Sequence, residues 1–387
     1  MNTKSIVSIV KCEDYTPERV RCAVDEALAL AELTGLFKSG EKVLLKPNLL
    51  SPRSPDEAVT THPAIIQAIG EIAIQAKCEV SIGDSPPFNG ENAVKYAKLC
   101  EQTGVSAVAK TLKIDLVRFE ESVITANSEN GRFYRSFEIA QAVIDSDVIV
   151  NIPKMKTHGL TAFSGAVKNV FGCVPGIRKG IFHAQAAENR VTFAQMLVDL
   201  FGMIKPAVNV MDGVIAMEGE GPNAGKPRQV GVILASSDAV ALDAVACALI
   251  GLNPMSVDTT RLAHEQGLGC GDIQQIEIRG ESIESVRVSD FVLSSGGNDW
   301  ARIPYPIKRM IRNQLTASPY ISPNTCIGCG DCARVCPVKA ITPGKPPKID
   351  LDKCIRCYCC HEVCNPLAIS LKRGWLGELL LRSHRKK

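Results

Sequence analysis

Nine of the sixteen cysteines fall between residues 326 and 364. The segments CIGCGDCARVCPVKAI (326–341) and CIRCYCCHEVCNPLAI (354–369) are one unit written twice, offset by 28 residues. Cys326, Cys329, Cys332 and Cys336 match Cys354, Cys357, Cys360 and Cys364, while Cys359 falls opposite Asp331 and is surplus. Thiols so close together, in a long chain whose other seven cysteines are scattered among apolar residues, read as metal ligands rather than disulfide partners. A C-x-x-C-x-x-C run wraps three thiolates around one face of a cubane, and a fourth cysteine after three intervening residues reaches elsewhere. Zinc also accepts four thiolates, but structural zinc pairs two separated C-x-x-C knuckles, so the compact run predicts iron and sulfide.

Residues 319–371 resemble the bacterial two-cluster ferredoxins. The resemblance implies that the fourth cysteine of each motif crosses to the other cluster. One 4Fe-4S centre would then be held by Cys326, Cys329, Cys332 and Cys364, and the second by Cys354, Cys357, Cys360 and Cys336. Pro337 completes the usual Cys-Pro ending of the first copy, whereas the second copy reads Cys364-Asn365-Pro366, a change of turn that removes no ligand. Cys359 reads as a packed or solvent-side thiol. Arg334, Lys339, Lys353 and Arg356 surround the motifs, and their charge favours the reduced state.

Ahead of this module, strand-like and helix-like stretches alternate through residues 1–293. Apolar β-branched runs at 5–10, 42–46, 79–82, 147–151, 207–211, 229–235 and 286–293 are separated by helical patterns, notably 17–33, 62–77, 91–103, 189–204 and 238–250. That rhythm predicts an α/β body built on a mostly parallel, doubly wound sheet, followed by a small α+β ferredoxin-like domain. Thr16-Pro17 and Thr61-His62-Pro63 mark two helix starts. Residues 294–318 read as a basic linker, 319–371 as the two-cluster domain and 372–387 as a basic tail. Residues 1–298 hold 28 Lys+Arg against 35 Asp+Glu, while 299–387 hold 16 against 6, so the basic end could dock on an acidic partner or on the chain's own body. Nucleic acid is not expected, because no aromatic residues interleave with these charges.

In open α/β sheets ligands bind beyond the carboxyl ends of the strands. Polar clusters follow one strand after another: KPN (46–48), GDSP (83–86), NIPKMKTHG (151–159), DG (212–213) and SSD (236–238). Lys46, Asn48, Asp84, Asn151, Lys154, Lys156, His158, Asp212 and Asp238 are therefore expected to converge on one crevice. Lys168, Asn169, Arg178, Lys179 and His183 add to the cations there, a set that suits a carboxylate or phosphate. His158, Asp84 and Lys156 are the candidate catalytic groups; Lys46, Asn48, Lys154, Lys168 and Asn169 are candidates for binding the anion. EGEGPNAGKP (218–227) fails as a phosphate loop, since Glu220 stands at the first glycine position and Pro227 replaces the hydroxyl residue. It reads either as a pocket loop presenting Glu218 and Glu220 or as a plain surface loop. Asp243, inside an apolar helix, reads as a structural acceptor.

The segments KPNLLSPRSPDEAVTTHP, NIPKMKTHGLTAFSGAVKNVFGCVPG, MDGVIAMEGEGPNAG and SSDAVALDAVACALIGL resemble those that mark the domain of unknown function 362 family, often fused to ferredoxin modules. The resemblance covers about residues 40–255 and implies that body and clusters work together as a redox protein. Two readings stay open. One is an iron-sulfur oxidoreductase acting on an anionic small molecule in the body; the other is a non-enzymatic electron carrier whose body docks on a partner enzyme. Both need a redox partner protein. A flavin is not indicated, since no G-x-G-x-x-G follows the first strand. No export signal and no spanning segment are visible, which places the chain in the cytoplasm as an expectation, although WLGELLLRSHRKK at the end could lie on a surface.

Overall fold

The computed structural model describes residues 4–87, 92–176, 178–186, 189–294 and 317–372. The basic linker and the basic tail expected from the sequence lie almost wholly outside the described residues. The body opens with strands β1 (Ser5–Lys11), β2 (Lys42–Pro47), β3 (Glu79–Asp84) and β4 (Asp115–Arg118). A separate hairpin of β5 (Val123–Asn127) and β6 (Ser136–Ala140) leads to β7 (Val148–Ile152), β8 (Lys154–His158) and β9 (Ala162–Ser164). The long β10 (Val208–Glu218) and β11 (Lys226–Ser236) and the short β12 (Ile276–Gly280) complete it.

Ten of these strands form one sheet, ordered β12-β1-β11-β10-β7-β2-β3-β4, with β8 attached to β10 and β9 to β8. Pairing is parallel except where β11 meets β1 and β10 and where β9 meets β8. Alternate side chains go to opposite faces. Leu44, Met211 and Leu234 pack under the helices Arg190–Ile204 and Ala239–Leu249, while Val43, Leu45, Val210 and Ile233 pack under Pro17–Leu30, Pro63–Gln75 and Val105–Leu112. The sheet is thus covered on both faces, as the alternating pattern predicts.

One expected strand does not form. Residues 286–293 carry no strand; Ser282 Oγ accepts the N–H of Ser285 and turns Ile283–Val286 into a short helix. The edge strand comes earlier, at β12, parallel to β1.

The C-terminal module consists of β13 (Ser318–Ile321) paired with β16 (Ile369–Lys372), β14 (Ile341–Thr342) paired with β15 (Lys348–Ile349), and short helices at Asp331–Arg334 and Cys359–Glu362. The sequence duplication recurs in the backbone. Gly328, Gly330 and Lys339 have positive φ, and so do Arg356, Tyr358 and Leu367, each 28 residues later. Such left-handed turns curl a chain tightly around a small body. Among the described residues no helix is long and apolar enough to cross a membrane.

Candidate functional site

Parallel register sets the floor of the site. Lys46 pairs with Asn151 across β2 and β7, and Leu45 with Ile82 across β2 and β3, so the ends of the three strands lie side by side. Lys46 Nζ contacts Asp84 Oδ1 at 2.8 Å, with both side chains almost fully buried, and Asp84 Oδ2 accepts the N–H of Leu49 at 2.7 Å. A chain of amides runs beside this pair. Lys156 Nζ donates to Asn48 Oδ1 (2.6 Å), Asn48 to Asn169 Oδ1 (3.1 Å), Asn169 to Asn151 Oδ1 (2.8 Å) and Asn151 to Asn209 Oδ1 (2.8 Å). Asn48, Asn169 and Asn151 are each used as donor and as acceptor, so their orientations are mutually fixed.

Above this floor lies a cavity open to solvent. Asn48, Asp84, Ser85, Lys168, Asn169, Lys179 and His183 line it from the body, and Cys359 and Glu362 line it from the cluster module. Lys179 is buried and donates to Ser85 O (2.9 Å), Ser85 Oγ (3.0 Å) and Val174 O. Burial pulls its ammonium down to about 8. Burial also lowers Lys168, helped by the charge of Lys46 and opposed by Glu362 and Cys359. Lys156, buried behind Asn48, is bonded to Asn48 Oδ1 and Val59 O, and burial together with Lys168 brings it to about 7. The hydrogen-bond partners of Lys156 and Lys179 among the described residues are neutral oxygens, so a negative ligand nearby would favour the charged form that burial disfavours.

Several expected convergences are absent. Lys154 does not line the cavity: it is bonded to Asp212 Oδ2 (2.9 Å) and Tyr15 OH (2.8 Å) in a separate buried network with His62 stacked on Tyr15. Asp238 is also elsewhere, capping the helix Ala239–Leu249 and accepting the Cys270 N–H. Lys154 and Lys156 stand two residues apart on β8, yet their ammonium groups end in different networks. Lys46 and Lys156 support the wall without forming its surface, and His158 is buried at the junction with the cluster module. Asp243 accepts the N–H groups of Ala166 and Val167, the structural role expected of it, and burial raises its carboxyl to about 7.

The loop 218–227 is a seat for the cluster module. Asn223 Nδ2 donates to Glu362 O (2.9 Å) and Ser51 Oγ to Asn223 Oδ1 (2.9 Å), while Arg53 Nη2 donates to Asn365 O (2.5 Å). Gly221 fits so closely that a Cβ there would lie 2.1 Å from Thr157 O. Glu362 went unnoticed in the sequence. Its signal was position: it lies three residues after Cys359 on one short helix, hence on the same face.

The module's cysteines gather around two further cavities. Cys326, Cys329, Cys332 and Cys364 line the outer one; Cys336, Cys354, Cys357 and Cys360 line the inner one, together with Cys359. Backbone N–H groups point at sulfur: Ala340 to Cys336 (3.1 Å), Arg356 to Cys354 (3.4 Å) and Ala368 to Cys364 (3.2 Å). Four thiols, an apolar wall and amide donors aimed at sulfur fit a 4Fe-4S cubane. Cys329 is exposed, so the outer group faces solvent, whereas Cys359 is 5% exposed and lines both the inner group's cavity and the large one.

Comparison with known proteins follows this division. Residues 43–248 match the family described as domain of unknown function (DUF362), and residues 318–365 match a 4Fe-4S dicluster domain. A thylakoid-associated protein of Synechocystis sp. is 32% identical over 68% of this chain and 79% of its own length. An uncharacterized polyferredoxin-like protein of Methanocaldococcus jannaschii is 36% identical over 14% of this chain and 44% of its own. Among solved structures, the lactate racemase apoprotein of Thermoanaerobacterium thermosaccharolyticum has a TM-score of 0.40 at 12% identity, covering 61% of this chain and 54% of that one. A protein of Thermotoga maritima has a TM-score of 0.37 at 14% identity, covering 59% and 57%.

Proposed function

This chain belongs to the DUF362 family and carries an iron-sulfur dicluster module, and from that premise we propose that it is an oxidoreductase passing electrons between a redox partner and an anionic small molecule in the large cavity. One observation carries the reading: body and cluster module line that cavity jointly, with Lys168 and Lys179 on one side and Cys359 and Glu362 on the other. Two 4Fe-4S clusters supply one-electron transfer, one on each crossed set of four cysteines. The exposed Cys329 side is the face for the partner, and the Cys357–Cys360 side faces the substrate. Lys168 binds the anion, and Lys179 adds its charge although its three donors are held by Ser85 and Val174. Asn48 and Asn169 orient the anion, and Asp84, held by Lys46, is one of the two carboxylates in the lining, with Glu362, and serves proton transfer.

Native mass spectrometry of anaerobically purified protein provides the check. A small anion should co-purify with the wild type and be absent from Lys168→Ala protein of equal iron content. A wild type with no bound anion, or an unchanged one in the variant, would overturn the reading.

A second reading is favoured by the module's exposed cations. Arg334, Lys339, Lys345, Lys348 and Lys353 are all exposed, and Lys345 packs beside Gly328 of the outer motif. Such a face suits a carrier that docks on an acidic enzyme. Salt separates the two, because delivery to a docked partner collapses at high ionic strength and transfer to a bound substrate does not.

A further inference from the structure

We propose that His183, Cys359 and Cys357 form an additional metal site, for one divalent cation of the zinc type, with Cys357 shared between that ion and the inner cluster. The inference rests on the reading of Cys357 as a cluster ligand. One imidazole nitrogen and two thiol sulfurs all lie within 4.8 Å of one another, with His183 6% and Cys359 5% exposed. Tetrahedral zinc, with bonds of about 2.3 Å to sulfur and about 2.0 Å to nitrogen, sets neighbouring ligand atoms about 3.5–3.8 Å apart. Small side-chain adjustments therefore close the site.

The donor set decides the type of ion. One histidine and two thiolates suit zinc and its neighbours rather than magnesium or calcium, and three protein ligands leave a fourth position open, as in catalytic zinc sites. His183 and Cys359 both line the large cavity, so the open position faces the anion's space. Cys357 and Cys359 both line the inner cluster's cavity, so the ion sits against it. Aromatic neighbours hold His183 on two sides. Its ring stacks on Phe193 at 4.2 Å between centroids and meets Phe171 edge-on at 6.0 Å. A ring fixed in this way keeps its ligand nitrogen in place. Cys359, surplus to the cubane ligands, gains a function, and the anion gains an electrophilic anchor one thiolate away from an electron source.

The experiment uses the full chain, reconstituted anaerobically with iron and sulfide, supplied with zinc chloride and desalted. Elemental analysis should give about one zinc per chain beside about eight irons, and absorption at the zinc edge should show a mixed nitrogen and sulfur shell. His183→Ala and Cys359→Ser should each lose the zinc and keep the iron, which also reports that they fold. Zinc retained in both variants, or none held by the wild type, would overturn the site. Loss of iron in Cys359→Ser would assign that thiol to the cluster and also end the proposal. A Cys357→Ser protein that keeps its full iron has a separate meaning: it removes the cluster assignment of Cys357, and with it the shared ligand.

Discussion

His158 Nε2 and Glu362 Oε1 lie 3.2 Å apart across the junction between body and cluster module, both side chains buried. The Nδ1 atom of His158 accepts the N–H groups of Leu160 (3.0 Å) and Thr161 (3.3 Å), which leaves the ring proton at Nε2, facing the carboxylate. Burial and the charge of Lys168 push this imidazole down to about 4, so it is neutral at pH 7. Burial alone would raise Glu362, but His158 and Lys168 outweigh it and hold the carboxyl near 2. A neutral ring thus faces an ionised acid.

That contact and the Asn223 seat predict how firmly the module docks. His158→Phe leaves the buried carboxylate without its facing donor, and Asn223→Ala strands the Glu362 carbonyl. Each should weaken docking by about 1–3 kcal/mol, raising amide hydrogen exchange in residues 359–362 by about 5- to 150-fold. Exchange unchanged from the wild type would show that neither residue holds the junction.

Crossed ligation predicts a pattern of iron loss that a sequential assignment does not. Cys336→Ala should remove the inner cluster and Cys364→Ala the outer one, each lowering iron from about eight to about four per chain. Combining Cys329→Ser with Cys364→Ala should cost no more iron than either alone, whereas combining Cys329→Ser with Cys336→Ala should remove nearly all. The reverse pattern would assign each fourth cysteine to its own motif.

The Lys46–Asp84 pair predicts strong non-additivity. Lys46→Met leaves Asp84 buried and unpaired and should destabilise the body by about 3–5 kcal/mol. Adding Asp84→Asn should recover a large part of that loss. Anaerobic thermal unfolding followed by circular dichroism measures it, and simple additivity would mean the pair is not coupled.

Lys156 predicts a pH dependence. Its folded value of about 7 lies below its ordinary 10.5, so between these values the unfolded chain holds a proton that the folded one has released. Stability attributable to Lys156 therefore rises as pH increases from about 7 towards 10.5 and is smallest below pH 7, a span on the order of a few kcal/mol. Lys156→Met should flatten that rise. An unchanged slope would mean that Lys156 does not titrate there.

Much of this was legible in the sequence, for identifiable reasons. The cysteine repeat was, because ligand spacing is local. Asn48 and Asp84 were, because residues at the carboxyl ends of parallel strands share one edge, whereas Lys168 and Asn169 reach the same cavity from the short helix Ala166–Asn169. Lys154 was not separable from Lys156, because its partners Tyr15 and Asp212 stand 139 and 58 residues away. The role of Asn223 and Glu362 was hidden for the same reason: the contact joining them spans 139 residues. The strand expected at 286–293 does not form because that stretch makes isolated bonds to other elements, Val288 N–H to Leu249 O and Gly219 N–H to Val292 O, which apolar patterning does not register.

The seat formed by Asn223 and Arg53 takes hold of main-chain oxygens, those of Glu362 and Asn365. A grip on carbonyls is indifferent to which side chains the gripped segment carries. Surface charges of the electron-carrying part could therefore drift, tuning which donor it accepts, while its alignment with the larger half is preserved. The joint would let one scaffold be rewired to new sources of reducing power without being rebuilt.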